Sequence, residues 1–153
     1  VEKDKIIIIK YMSNKKLFII EDDVNILYGL EAQFVGGGLE VEVSEAEEDL
    51  EELLNNLHDT NPDYVVLDLI LPKIDGFEII KRLKADEELR DKQIFIFTDL
   101  SDEDSRQRSL EMGADYVFFK EDFDTFSFAE KVLKIIKNQN RISREDDSED
   151  DFE

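Results

Sequence analysis

The sequence predicts a doubly wound α/β domain built on a five-stranded parallel sheet. Two observations carry this. Five short apolar runs alternate with five helical patterns, and the run Tyr64-Val-Val-Leu67 is apolar throughout, as a central parallel strand covered on both faces must be. A third observation sharpens it: four of the five runs stop at a polar residue, Glu21-Asp22, Asp68, Thr98 and Lys120.

The elements follow in order. Leu17 to Ile20 is a continuous apolar strand that halts at Glu21-Asp22-Asp23. Ile26, Leu27, Leu30 and Phe34 then recur at helical spacing, and Gly36-Gly37-Gly38 ends that helix. Leu39 to Val43 alternates with period two and reads as an edge or half-buried strand. Ser44 and Glu47 suggest a capping box for a helix carrying Leu50, Leu53, Leu54 and Leu57. Asn61-Pro62-Asp63 is turn chemistry ahead of the third strand. After Asp68, Pro72 and Asp75-Gly76 mark a loop, and Phe77, Ile80 and Leu83 pattern the third helix. Ile94 to Phe97 is the fourth strand. Ser101 is placed to cap a fourth helix that carries Leu110 and Met112 and stops at Gly113. Val117 to Phe119 forms a short fifth strand, and Phe128, Val132, Ile135 and Ile136 pattern the last helix. Short strands joined by helical crossovers give a right-handed, flavodoxin-like three-layer sandwich.

Composition bounds what such a domain can do. Its 153 residues suffice for one sizeable core. With no cysteine, disulfides and thiolate metal sites are excluded. Net charge is −21, from 40 acidic and 19 basic residues, and this field would repel a nucleic-acid backbone. The longest apolar runs, such as Ile6 to Ile9, fall far short of the ~20 residues that span a membrane, so a cytoplasmic location without membrane or direct nucleic-acid contact is expected. Glu145 to Glu153 holds seven carboxylates in nine residues. Residues 140–153 are therefore expected to be a self-repelling disordered tail, too short and acidic to be an effector domain. At the other end, Met12 precedes the first strand. Residues 1–14 are taken as an extension, of which 1–11 would come from an upstream alternative start, with the domain itself at 15–139.

Sheets of this kind bind ligands at the carboxyl ends of their strands. Gathered at one rim, Glu21, Asp22, Asp68, Thr98 and Lys120 supply three carboxylates, a hydroxyl and an ammonium group. Carboxylates so crowded raise one another's pKa unless a cation sits among them, and a hard oxygen-seeking ion such as Mg²⁺ suits them. With the charge offset, Asp68 could act as nucleophile toward a phosphoryl group, forming an acyl phosphate. Lys120 and Thr98 would contact the phosphoryl oxygens.

At these residues the sequence resembles the receiver domains of two-component response regulators, the CheY-like family. The segments are FIIEDDVNIL, PDYVVLDLILPKIDGFEII, IFIFTDLSDED and LEMGADYVFFK, and with the last helix they span about residues 15–139. Asp68 and Thr98 are 30 residues apart, Thr98 and Lys120 22, both as the family has them. The resemblance implies that Asp68 takes its phosphoryl group from a sensor histidine kinase or phosphotransfer protein. It implies that Glu21 and Asp22, with the Ile70 main-chain carbonyl, hold Mg²⁺, and that an unknown output protein reads the face of helix 4, strand 5 and helix 5. On this reading the protein is a phosphoacceptor switch, performing one phosphotransfer and one hydrolysis per cycle. The alternative is a degenerate receiver acting as a phosphorylation-independent binding module.

Three positions depart from the family. Glu121 follows Lys120 where proline is usual, Val117 occupies the aromatic switch position, and Asp99 stands where a small residue is preferred. The resemblance implies that Ile70 and Leu100 flank the path of the hydrolytic water; apolar side chains cannot polarise it, so a long-lived acyl phosphate is expected. Ile70 also stands where a haloacid dehalogenase-type phosphatase would need a second aspartate, and no phosphate loop for a flavin follows the first strand. His58, the one histidine, is expected to be a solvated or dipole-stabilised residue at a helix end.

Overall fold

In the computed structural model, residues 2, 3, 5 and 14–150 are described, with side chains in the main body as far as residue 142. Most of the expected extension lies outside the described residues. The chain runs β1 (Lys16–Ile20), α1 (Val24–Gly36), β2 (Glu40–Ser44), α2 (Leu50–Thr60), β3 (Tyr64–Leu67), α3 (Gly76–Ala85), β4 (Gln93–Thr98), α4 (Glu103–Met112), β5 (Tyr116–Phe119) and α5 (Thr125–Asp150). All strand pairings are parallel, and the order is β2-β1-β3-β4-β5. The order reverses between β1 and β3, so the crevice at their carboxyl ends is the expected ligand position. The expected doubly wound architecture is present.

The period-two side-chain alternation of strands divides the core in two. Leu17, Ile19, Val66, Phe95 and Phe97 face α1 and α5, packing with Leu27, Leu30, Phe34, Phe128, Val132 and Ile136. Phe18, Ile20, Val65, Leu67, Ile94 and Ile96 face the other way, with Leu53, Leu57, Ile79, Ile80 and Leu83. Each fully buried Leu or Phe contributes about 1.5–3 kcal/mol. Two complete layers explain why β1 and β3 carry uninterrupted apolar runs.

The structure corrects several local expectations. Ser44 ends β2 instead of capping α2; its Oγ accepts from Ala46 N, while Asp49 caps the helix by accepting from Glu52 N. Asp102, not Ser101, caps α4. A carboxylate offers the free helical N–H groups a charged acceptor, which a hydroxyl does not. Leu110 is exposed, because α4 is largely polar and buries only Ser109 fully. Helix α5 continues to Asp150, past the boundary at 139 expected for a disordered tail. No glycine or proline follows Gly113, so nothing in that segment breaks a helix already nucleated on the core.

Candidate functional site

Three backbone hydrogen bonds carry the sheet ladder one residue beyond the strand ends. Glu21 N donates to Ser44 O at 3.1 Å, Asp68 N to Ile20 O at 3.1 Å, and Lys120 N to Thr98 O at 2.8 Å. Glu21, Asp68 and Lys120 are thus each fixed by a neighbouring strand, and their side chains meet at this rim. Carboxylate oxygens of Glu21, Asp22 and Asp68 all lie within 4.8 Å of one another. Glu21 and Asp68 are buried, at 2% and 4% exposure, while Asp22 is open to solvent.

Lys120 reaches into this group. Its Nζ donates to Asp68 Oδ2 at 2.8 Å and to both Glu21 oxygens at 3.0 and 3.1 Å. Burial acts to lower the Lys120 pKa, but the hydrogen bonds and charges of Asp68 and Glu21 outweigh it and hold the ammonium above its ordinary value. Burial, followed by the charge of Asp68, pushes Glu21 up to about 8 against the pull of Lys120. One ammonium does not fully compensate two buried carboxylates and an adjacent third.

The remaining contacts set orientation. Asp68 Oδ1 accepts from Ile70 N at 3.1 Å, which turns the chain directly after the strand. Asp23 caps α1, accepting from Asn25 N and Ile26 N; the adjacent Asp22 is left for the rim. Thr98 is fully buried, its Oγ1 accepting from Leu100 N at 3.2 Å. All five rim residues inferred from sequence therefore stand at the same strand ends. Asp99 is exposed and outside the tight carboxylate group, Glu121 is exposed, and Val117 packs against the α2–α4 side of the core. The peptide bond to Glu121 is trans.

Gly76 is a residue whose importance sequence reasoning missed. A Cβ there would fall 2.4 Å from Leu69 Cα and 2.8 Å from Asp68 O. The first turn of α3 therefore presses on the backbone that carries Asp68, and only glycine fits. The Asp-Gly pair reads as turn chemistry in sequence, which conceals this role.

His58 sits in the last turn of α2. Its Nε2 meets Asp86 at 2.7 Å and its Nδ1 meets Glu88 at 2.9 Å. The residue expected to be solvated or dipole-stabilised does stand in the last helical turn, and it is also paired with two carboxylates. The Glu88 hydrogen bond, opposed by burial and aided by Asp86, raises its pKa.

The donor set suits a hard divalent cation: oxygen ligands only, more negative than the lysine can balance, and open on the Asp22 side. Fold and site together are those of a receiver-type α/β domain. The family model for the response regulator receiver domain matches residues 17–132, and the chain belongs to that family. It is 29% identical over 141 residues to the "Probable transcriptional regulator ycf27" of Guillardia theta, covering 92% of this chain and 53% of that protein. It is 36% identical over 96 residues to the phosphate regulon regulator PhoB of Escherichia coli, covering 63% and 40%. The BeF3-activated receiver domain of DrrB, a Thermotoga maritima OmpR/PhoB homologue, superposes with a TM-score of 0.67 at 27% identity, covering 80% of this chain and 97% of that one. The chain spans about half the length of the curated relatives it matches. Receiver domains are signalling switches of two-component systems rather than turnover enzymes, and they generally depend on Mg²⁺. Among the described residues no helix is long and apolar enough to cross a membrane.

Proposed function

We propose that Asp68 is the phosphoacceptor of a cytoplasmic two-component switch, charged by a phosphohistidine on a sensor kinase or phosphotransfer protein. An Asp68 carboxylate oxygen attacks phosphorus, the bond from phosphorus to the donor imidazole breaks, and the imidazole nitrogen leaves with that electron pair. The observation that carries this reading is the contact of Lys120 Nζ with Asp68 Oδ2 at 2.8 Å, beside Glu21 and Asp22. A buried carboxylate bonded to a cation, with two more carboxylates within 4.8 Å, is what a phosphoacceptor beside a metal ion needs.

Glu21, Asp22, Asp68 and the Ile70 main-chain carbonyl would hold Mg²⁺, which would supply positive charge to offset that of the incoming phosphoryl oxygens. Lys120 exchanges its carboxylate partners for a phosphoryl oxygen, and the Thr98 hydroxyl donates its hydrogen to another. The added anion favours one of two conformations, and a protein partner reads the change. Ile70 is 53% exposed and Leu100 half-buried; neither orients a water, so the acyl phosphate decays slowly. Following decay of the phosphorylated protein by intact mass tests this, and loss within seconds contradicts it. Mg²⁺-dependent phosphorylation from acetyl phosphate tests the acceptor role itself; its absence would favour the phosphorylation-independent binding module.

A further inference from the structure

Resting on the phosphoacceptor reading of Asp68, the geometry points to Phe97 as a positioning residue for Lys120 and, with Phe128, as the start of an aromatic relay toward α1 and α5. Lys120 Nζ lies 5.8 Å from the Phe97 ring centroid, within the range of a cation–π attraction. Phe97 stacks on Phe128 of α5 with centroids 4.0 Å apart and planes 2° apart. Phe128, itself fully buried, meets Phe34 of α1 at 6.4 Å and Phe118 of β5 at 5.3 Å, both edge-on. Phe118 meets Phe123, in the loop before α5, at 5.3 Å. A continuous set of rings thus joins the rim lysine to one helical layer.

Among the described residues the opposite layer has no comparable set at the corresponding place. Leu100, two residues after Thr98, and Val117 pack there against a largely aliphatic cluster. Valine is confined to few χ1 states and has no ring to swing. Close-packed rings pass on a displacement that they cannot absorb. When Lys120 moves from Glu21 and Asp68 toward a phosphoryl oxygen, the ring beneath it follows, and Phe128 shifts the start of α5. The exposed Phe126, 59% accessible, lies in that first turn. The read-out therefore falls on α1 and α5; of the helix 4, strand 5 and helix 5 face that the family resemblance suggested, it keeps α5 and leaves out α4.

The test uses the full chain with Mg²⁺ and beryllofluoride, followed by ¹⁹F and amide NMR. In the wild type a bound-fluoride signal is expected, with amide changes concentrated in α1 and residues 124–136. Phe97→Leu should weaken beryllofluoride binding several-fold, remove the ring-current shift of the Lys120 side chain and abolish the α5 changes; Phe97→Tyr, which keeps the ring, should restore all three. Phe123→Ala, at a half-buried loop position, should keep fluoride binding and lose the changes at 124–127. Bound fluoride with changes centred on α4 and Val117, or α5 changes that survive Phe97→Leu, would overturn the relay alone. No bound-fluoride signal in the wild type would overturn the Asp68 reading and the relay with it.

Discussion

Lys120, an ammonium, and His58, a cation when protonated, are each held between two carboxylates, one set buried and the other at the surface. Lys120 stands between Glu21 and Asp68 with side-chain exposures of 9%, 3% and 4%. His58 stands between Asp86 and Glu88 with exposures of 32%, 25% and 77%. The distances are similar, so geometry does not distinguish them; solvent does. In the buried cluster each charge depends on the others for compensation, and substituting a new cation or anion has large consequences. In the exposed cluster water screens every term, and the pair is a modest tie between α2 and the loop after α3.

The largest expected effect comes from removing the buried cation. Lys120→Met should cost about 3 kcal/mol of stability without Mg²⁺, because two buried carboxylates lose their partner. Mg²⁺ should recover part of that loss, and chemical denaturation with and without the ion measures both. Equal stability of variant and wild type would break the comparison.

Gly76→Ala should cost about 1–3 kcal/mol, since the new Cβ meets main-chain atoms of Leu69 and Asp68 rather than a yielding side chain. It should also weaken Mg²⁺ binding by displacing Asp68, which titration calorimetry would detect. A variant with unchanged metal affinity would show that α3 does not set the position of the rim.

pH separates the clusters by sign and window. Glu21 is pushed from 4.5 to about 8, so between those values the folded state holds a proton that the unfolded state has released. Its contribution therefore falls as pH rises through that window. Mg²⁺ needs the carboxylate, so binding should release a proton and the ion should raise Tm more at pH 8.5 than at pH 6. His58 is also raised, from 6.5, but here the favoured form is the cation. Its contribution is complete below 6.5 and fades as pH rises through the folded-state value. His58→Gln should lose at most about 1 kcal/mol, at pH 6 and not at pH 9, and without any change in the Mg²⁺ response.

What could be read from sequence follows the same division. Glu21, Asp22, Asp68, Thr98 and Lys120 were legible because each interrupts or closes an apolar run where a strand needs no polar residue. Their convergence followed from topology, since parallel strands all end at one rim. The pairing of His58 was hidden because Asp86 and Glu88 lie 28 and 30 residues away, with no periodicity to link them. Gly76 was hidden because its role is a contact between backbones, not a pattern. The capping residues were missed by one to five positions, since several Ser and Asp residues compete before each helix and tertiary packing selects among them. The course of α5 beyond residue 139 was misjudged because charge density argues for disorder, while the helix preceding it supplies the nucleus that an isolated acidic segment lacks.

The central claim is that the buried carboxylate at the end of β3 accepts a phosphoryl group. Intact mass of the protein incubated with acetyl phosphate, with and without Mg²⁺, tests it most directly. The account predicts one added phosphoryl group in the wild type only when Mg²⁺ is present, and none in Asp68→Asn. An unmodified wild type, or equal modification of Asp68→Asn, would contradict it.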